Sequence, residues 1–221
     1  DLASADGLLN VSLEYEGQAE SIARAIPIVL NKIRLTFYPE GGDLTAGLES
    51  RVAFHSVNEF GKPADIDGII EDETGAKVAE FQSFHHGMGA FTLTPQPGRE
   101  YTARITRPEG VLETFALPTA WEEGLVMSVV AKTSDAIRLR IASTRKGSAR
   151  LFAQVRGKEI YDAKITLKEG ETFVSVPIKD APIGVMAITL FDEDRVAQAE
   201  RLVFVNKDAK LTVSIQPDKP R

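Results

Sequence analysis

His55, His85 and His86 are the three histidines of the chain, and imidazole is the side chain most often used to carry protons or hold metals near neutral pH. Two histidines share a metal when their spacing turns both rings to one side of an element. His85 and His86 are adjacent, so in extended backbone they point to opposite faces. The segment Phe84-His85-His86-Gly87-Met88-Gly89 reads as the approach to a hairpin, with one imidazole packed and the other in water. Carboxylates gather at Asp65, Asp67, Glu71, Asp72 and Glu73, and again at Asp192, Glu193 and Asp194. A calcium loop of the EF-hand kind needs alternating oxygen ligands before a glycine and a glutamate six residues later. Asp65-Ile66-Asp67-Gly68 lacks that spacing. Both groups read as solvated turn charge, with calcium bound between domains as the sharper alternative.

Pro39-Glu40-Gly41-Gly42 raises the question of a phosphate loop. Such a loop lies between a strand and a helix, so that backbone N–H groups and the helix dipole meet the anion. The residues that follow, Asp43-Leu44-Thr45-Ala46-Gly47, lead into another strand, and no Lys-Ser or Lys-Thr pair accompanies them. The stretch therefore reads as a corner, with proline fixing the strand exit and glycine supplying positive φ. No Gly-x-Ser-x-Gly elbow is present, and Gly147-Ser148 sits in a basic turn with Arg145, Lys146 and Arg150. The chain has no cysteine, which removes thiol catalysis, disulfides and thiolate metal sites together. The sequence thus assigns no catalytic, cofactor-binding or metal-binding residue. The single tryptophan, Trp121, is read as packing at a junction between domains, with sugar stacking as the alternative.

Composition narrows the classes further. A net charge of −6 and the lack of a basic patch argue against nucleic-acid binding, which needs cations to displace counterions from phosphates. No apolar run approaches the roughly 18–20 residues of a membrane helix.

The elements that would position any site are strands. Residues 9–15 and 21–28 alternate apolar and polar around a turn at Glu16-Gly17-Gln18, the period of a half-buried strand. Further runs follow at 51–57, 67–71, 77–83, 89–94, 100–106 and 111–117. A second series covers 125–131, 136–142, 149–155, 160–167, 172–177, 184–191 and 196–205. No apolar helical stripe interrupts them. The fold class is all-β, as tandem immunoglobulin-like β-sandwiches of about seven strands each.

An internal echo sets the boundaries. "IPIVLNKIRLTFYP" from Ile26 and "LVFVNKDAKLTVSIQP" from Leu202 each place an apolar strand before an Asn-Lys pair and another strand after it. The expected organisation is a terminal hairpin of a preceding domain at 1–30, one sandwich at 31–117, a second at 118–206, and the start of a following domain at 207–221.

The stretch opening with Phe37-Tyr38-Pro39-Glu40-Gly41-Gly42, with Gly47-Leu48 before a strand, resembles a macroglobulin-like domain. So do the Asn58-Glu59-Phe60-Gly61-Lys62-Pro63 turn and Gly87-Met88-Gly89-Ala90-Phe91 before "TPQPGREYTARI". The similarity is to the bacterial α2-macroglobulin-related proteins, Bacteroidetes type, and it extends over most of residues 22–215. It implies macroglobulin-like β-sandwiches in a cell-envelope protein, periplasmic or at the cell surface and associated with the outer membrane. The family's thioester, a cysteine and glutamine pair, cannot form here. The resemblance therefore implies a non-catalytic scaffold or interaction fragment, not an enzyme, with no cofactor. Its partners would be proteins or neighbouring domains of the same polypeptide, not nucleic acid, and exposed strand edges would permit a homodimer. The alternative is a carbohydrate- or protein-binding module of a surface nutrient-uptake system.

Overall fold

A computed structural model describes residues 6–27 and 32–207, and side chains from residue 9 to 23 and from 32 onward. Sixteen strands and no helix occur among the described residues, so the chain is all-β as its alternation requires. The first two strands, β1 (Asp6–Tyr15) and β2 (Gln18–Pro27), form a hairpin of their own. Seven more follow: β3 (Ile33–Pro39), β4 (Ser50–Asn58), β5 (Asp67–Asp72), β6 (Lys77–His85), β7 (Met88–Leu93), β8 (Tyr101–Arg107) and β9 (Thr114–Ala116). The last seven are β10 (Leu125–Lys132), β11 (Ala136–Ser143), β12 (Gly147–Val155), β13 (Lys158–Leu167), β14 (Gly170–Pro177), β15 (Gly184–Phe191) and β16 (Ala197–Val205).

The chain divides into two compact units, Asp1–Glu122 and Glu123–Arg221. The division falls five residues beyond the expected 117/118 boundary because the segment before it is tied backwards. Trp121 N–H donates to Leu44 O at 2.8 Å, and Trp121 O accepts from Ala46 N–H at 2.8 Å. Residues 28–31, with Asn31 of the first Asn-Lys pair, and residues 208–221, with the rest of the second echo and the expected start of a following domain, lie outside the described residues. Asn206 of the second pair is described. At φ 54° it donates from Nδ2 to Ile178 O at 3.1 Å and to Ala181 O.

Both units use one strand plan. In the second unit β10-β11-β14 form one sheet and β13-β12-β15-β16 the other. In the first, β3-β4-β7 and β6-β5-β8-β9 repeat that order, and a two-pair contact between β6 and β7 joins the sheets. The first core is aromatic where the layers meet. Phe81 of β6 lies 5.0 Å from Phe54 of β4 and 5.9 Å from Phe91 of β7, and Phe91 lies 6.1 Å from Phe37. Rings of this size need room in the opposite strand. A Cβ on Gly68 would lie 2.2 Å from Phe81, and one on Gly89 would lie 2.3 Å from Phe54. The second core is aliphatic, with Met127, Ile137, Leu139, Ile141, Leu151, Met186, Ile188 and Leu190 all fully buried.

Two turn designs account for the tight connections. Glu16-Gly17, His86-Gly87 and Arg156-Gly157 all have positive φ at both residues, the two-residue hairpin turn whose twist matches paired strands. The second design begins on Asn58, Asp72 or Asp192. Each side-chain Oδ1 accepts from the backbone N–H two and four residues on, at 2.8–3.1 Å. The fourth residue is left-handed in all three: Gly61 at φ 75°, Gly75 at 81° and Arg195 at 65°. Arg195 alone carries a Cβ there. Replacing it with glycine is expected to stabilise the chain by about 0.5–1 kcal/mol, read as a melting temperature raised by about 2–6 °C.

Tyr101 opens β8 and is 6% exposed. Its hydroxyl oxygen accepts from Gln96 N–H at 2.8 Å, pinning the corner between β7 and β8, the tyrosine corner of immunoglobulin-like sandwiches. β9 is shorter than the expected 111–117 run. Val111 plugs the core at 7% exposure, whereas Leu112 is 95% exposed, so the residues before Thr114 do not hold the alternation.

Candidate functional site

Pro39 closes β3, and Gly41 and Gly42 follow with φ 80° and 131°. Glu40 N–H donates to Arg51 O at 2.8 Å, and its carboxylate pairs with Arg51 at 2.7 Å. The chain then runs to Thr45, which bridges Trp121 in parallel, and Gly47 N–H donates to Pro95 O at 2.7 Å. The glycines therefore turn the chain into a tethered loop, with no helix N-terminus beyond them.

His85 and His86 do not point to opposite faces. Their ring centroids are 4.2 Å apart at 75°, and both residues are exposed, so neither imidazole is packed inside. The alternation argument assumed extended backbone at both positions, but His86 sits in the hairpin turn at φ 48°. His55 faces Met88 across β4 and β7, and Met88 faces His85 across β7 and β6. His55 and His85 are thus two strand spacings apart, roughly 10 Å. Among the described residues, no three of His, Cys, Asp and Glu form a group that could hold a metal.

The carboxylates are tied to the fold. Asp65 Oδ1 accepts from Gly87 N–H at 2.7 Å. Glu71 receives both Nε and Nη2 of Arg104, at 3.1 and 3.0 Å. Arg99 bridges Asp72 and Glu73, each at 2.9 Å. Glu193 accepts from Ser148 N–H at 3.1 Å, and Arg150 forks onto Asp162 across β12 and β13. Hydrogen bonds from Arg104 and Arg150 hold Glu71 and Asp162 below the usual carboxylate range, against the opposing effect of desolvation. Asp72 is lowered chiefly by the Thr74 hydroxyl, then by the Ala76 and Thr74 N–H groups and the Arg99 charge.

A depressed folded-state pKa adds stability that is complete above the unfolded value near 4 and is lost as pH falls through the folded one. Acidification from about pH 5 to 3 should therefore lower the melting temperature. Glu71→Gln and Asp162→Asn should each flatten that slope, and salt should flatten it too, because these pairs are exposed.

Ser56 is the most enclosed hydroxyl, with no exposure. It shares its proton between Ala64 O and Gly87 O, the latter at 3.1 Å, which commits it to holding the loop between β4 and β5. Trp121 lies at the end of the first unit. Its residue is 64% exposed, while its backbone is held on both sides by Leu44 and Ala46. Sequence reasoning also missed an open cleft of about 720 Å³ in the second unit, lined in part by Lys132, Lys179 and Lys207. Lys132 ends β10, Lys179 lies in the turn after β14 and Lys207 follows β16, so no motif announces them. Lys132 is already engaged with Phe204 O.

No family profile matches the chain, and no curated protein does. Solved structures resemble it weakly. The Escherichia coli adhesin FdeC is 14% identical, with 90% of this chain and 74% of that one covered at a TM-score of 0.34. Domains 4–9 of surface-layer protein SbsC are 11% identical over 90% of this chain and 35% of that one, at 0.38. The native E. coli α2-macroglobulin is 11% identical over 87% of this chain and 16% of that one, at 0.30. The weak structural neighbours thus include bacterial α2-macroglobulins alongside adhesins and surface-layer proteins.

Proposed function

We propose that the chain is a non-catalytic scaffold and interaction fragment of a macroglobulin-like protein of the cell envelope, periplasmic or cell-surface. The repeated strand plan carries this reading. Two seven-strand units with separate cores succeed one another in a single chain, the build of a modular spacer. The residues best able to do chemistry support it from the other side. Ser56, Asp65, Asp72 and Asp192 each hold a turn or a loop in place, and Glu71 and Asp162 hold strands together. The test is to incubate the purified chain with several proteases and chromogenic hydrolase substrates. The expected result is no covalent adduct and no turnover above buffer; either one overturns the proposal.

A second reading has one observation in its favour. The exposed ring of Trp121 stands on a backbone clamped from both sides, a rigid platform of the kind that stacks on a sugar face. Glycan binding that disappears in Trp121→Ala would establish the carbohydrate-binding module instead.

A further inference from the structure

Among the described residues, nothing covers the mostly apolar face of the β1–β2 hairpin on which Leu9, Val11, Leu13, Tyr15 and Ile22 lie. Direct pairing places Val11 opposite Ile22, Leu9 opposite Arg24, Leu13 opposite Glu20, Tyr15 opposite Gln18 and Gly7 opposite Ile26, all on that face. Leu9, Val11, Leu13, Tyr15 and Ile22 are 46–76% exposed. The other face carries Asn10, Ser12 and Glu14 against Ala19, Ser21 and Ala23, and suits water. A lone two-stranded hairpin is marginal in water and gains stability when its apolar face is packed.

We propose that a second copy of this chain covers the face, through a twofold axis that crosses the hairpin above the Val11–Ile22 pair. The sequence on the face is self-complementary about that point. Turning a second hairpin over, with its strands reversed, sets Leu9 against Leu13 of the other copy and Val11 against Val11. The same operation sets Glu20 against Arg24, twice, so opposite charges flank an apolar centre. It also sets Tyr15, the largest side chain on the face, against Gly7, the smallest. Gln18 against Ile26 is the one mixed contact and lies at the rim. The pattern of size and the pattern of charge therefore select the same axis, which a random apolar stripe has no reason to do.

The strands are about 34 Å long and two such strands make a face roughly 10 Å wide, so the contact covers on the order of 700 Å² over both copies. That is below the size of a tight complex. The dimer proposed is accordingly a weak, reversible one, and a Kd on the order of 0.1 mM is the value the experiment is set to detect.

Sedimentation equilibrium from about 10 μM to 1 mM tests the proposal. The weight-average mass should climb from the monomer's 24.1 kDa towards twice that value. Glu20→Arg and Arg24→Glu should each weaken association at least about tenfold, by placing like charges together. The double variant Glu20→Arg/Arg24→Glu should recover it to within about threefold, which separates lost pairing from lost folding. A mass that stays monomeric throughout overturns the proposal and leaves the face to a preceding domain. So does a dimer indifferent to the single reversals, a double variant that does not recover, or an association abolished by deleting residues 208–221, which would assign the face to that segment instead.

Discussion

Replacing Gly87 with alanine is expected to destabilise the first unit by about 3 kcal/mol or more, close to the whole margin of a small domain. Two costs add. The residue sits at φ 72° in the hairpin turn, where an L side chain costs about 1–2 kcal/mol. The new Cβ would also lie 2.2 Å from Ser56 O and 3.1 Å from Ala64 N and O. None of these atoms can give way cheaply. Ser56 O accepts from Ala64 N–H, Ser56 N–H donates to Gly87 O, and Gly87 N–H donates to Asp65. Gly75→Ala is the control, since φ is 81° there and nothing stands within 4 Å of the added atom. It should cost only about 1 kcal/mol. Chemical denaturation of both variants checks the difference, and equal losses would refute the clash.

Phe81→Ala should cost about 3–5 kcal/mol, because the ring fills the space between the two sheets and leaves a cavity when removed. Gly68 cannot supply the missing volume, since Arg104 O as well as Phe81 crowds the position above it. Phe54→Ala removes the ring on the other side of the contact. The pair meets edge to face at 5.0 Å, so the double variant should lose less than the two single losses added, by about 0.5–1.5 kcal/mol. Strict additivity would show that the contact contributes nothing beyond its area.

Strand positions were legible because each face of each strand is either wet or buried. The alternation in Ile33–Pro39 and in Ser50–Asn58 is the burial pattern itself. Turns were legible where glycine follows at a set distance, as in Asn58-Glu59-Phe60-Gly61. Strand order was not, because β4 pairs with β7 and β5 with β8 across long stretches of chain, and nothing local records that choice. The same limit hid Tyr101. Its corner depends on Gln96, and a tyrosine at the head of a strand looks like any other. The contact between His85 and His86 was misread for the opposite reason. A local backbone reversal at His86 overrode a rule that holds only in extended chain. For Trp121 the side chain drew the sequence reading, whereas the backbone bonds to Leu44 and Ala46 depend on residues far back in the sequence that no local pattern marks.

Seven strands in one order also decide where each unit can be pulled. Every pairing between named strands is antiparallel, and in the first unit the chain of contacts from β3 through β4, β7, β6, β5 and β8 to β9 contains six reversals, so β3 and β9 run in the same direction. The polypeptide therefore enters at one pole and leaves at the other. Tension on the chain is then directed along the strands, and the hydrogen bonds between β3 and β4, which lie across that direction, resist in shear as a group. A hairpin tugged at its open end would instead surrender its bonds one at a time. An even number of strands would have returned the chain to the pole it came from and invited that unzipping.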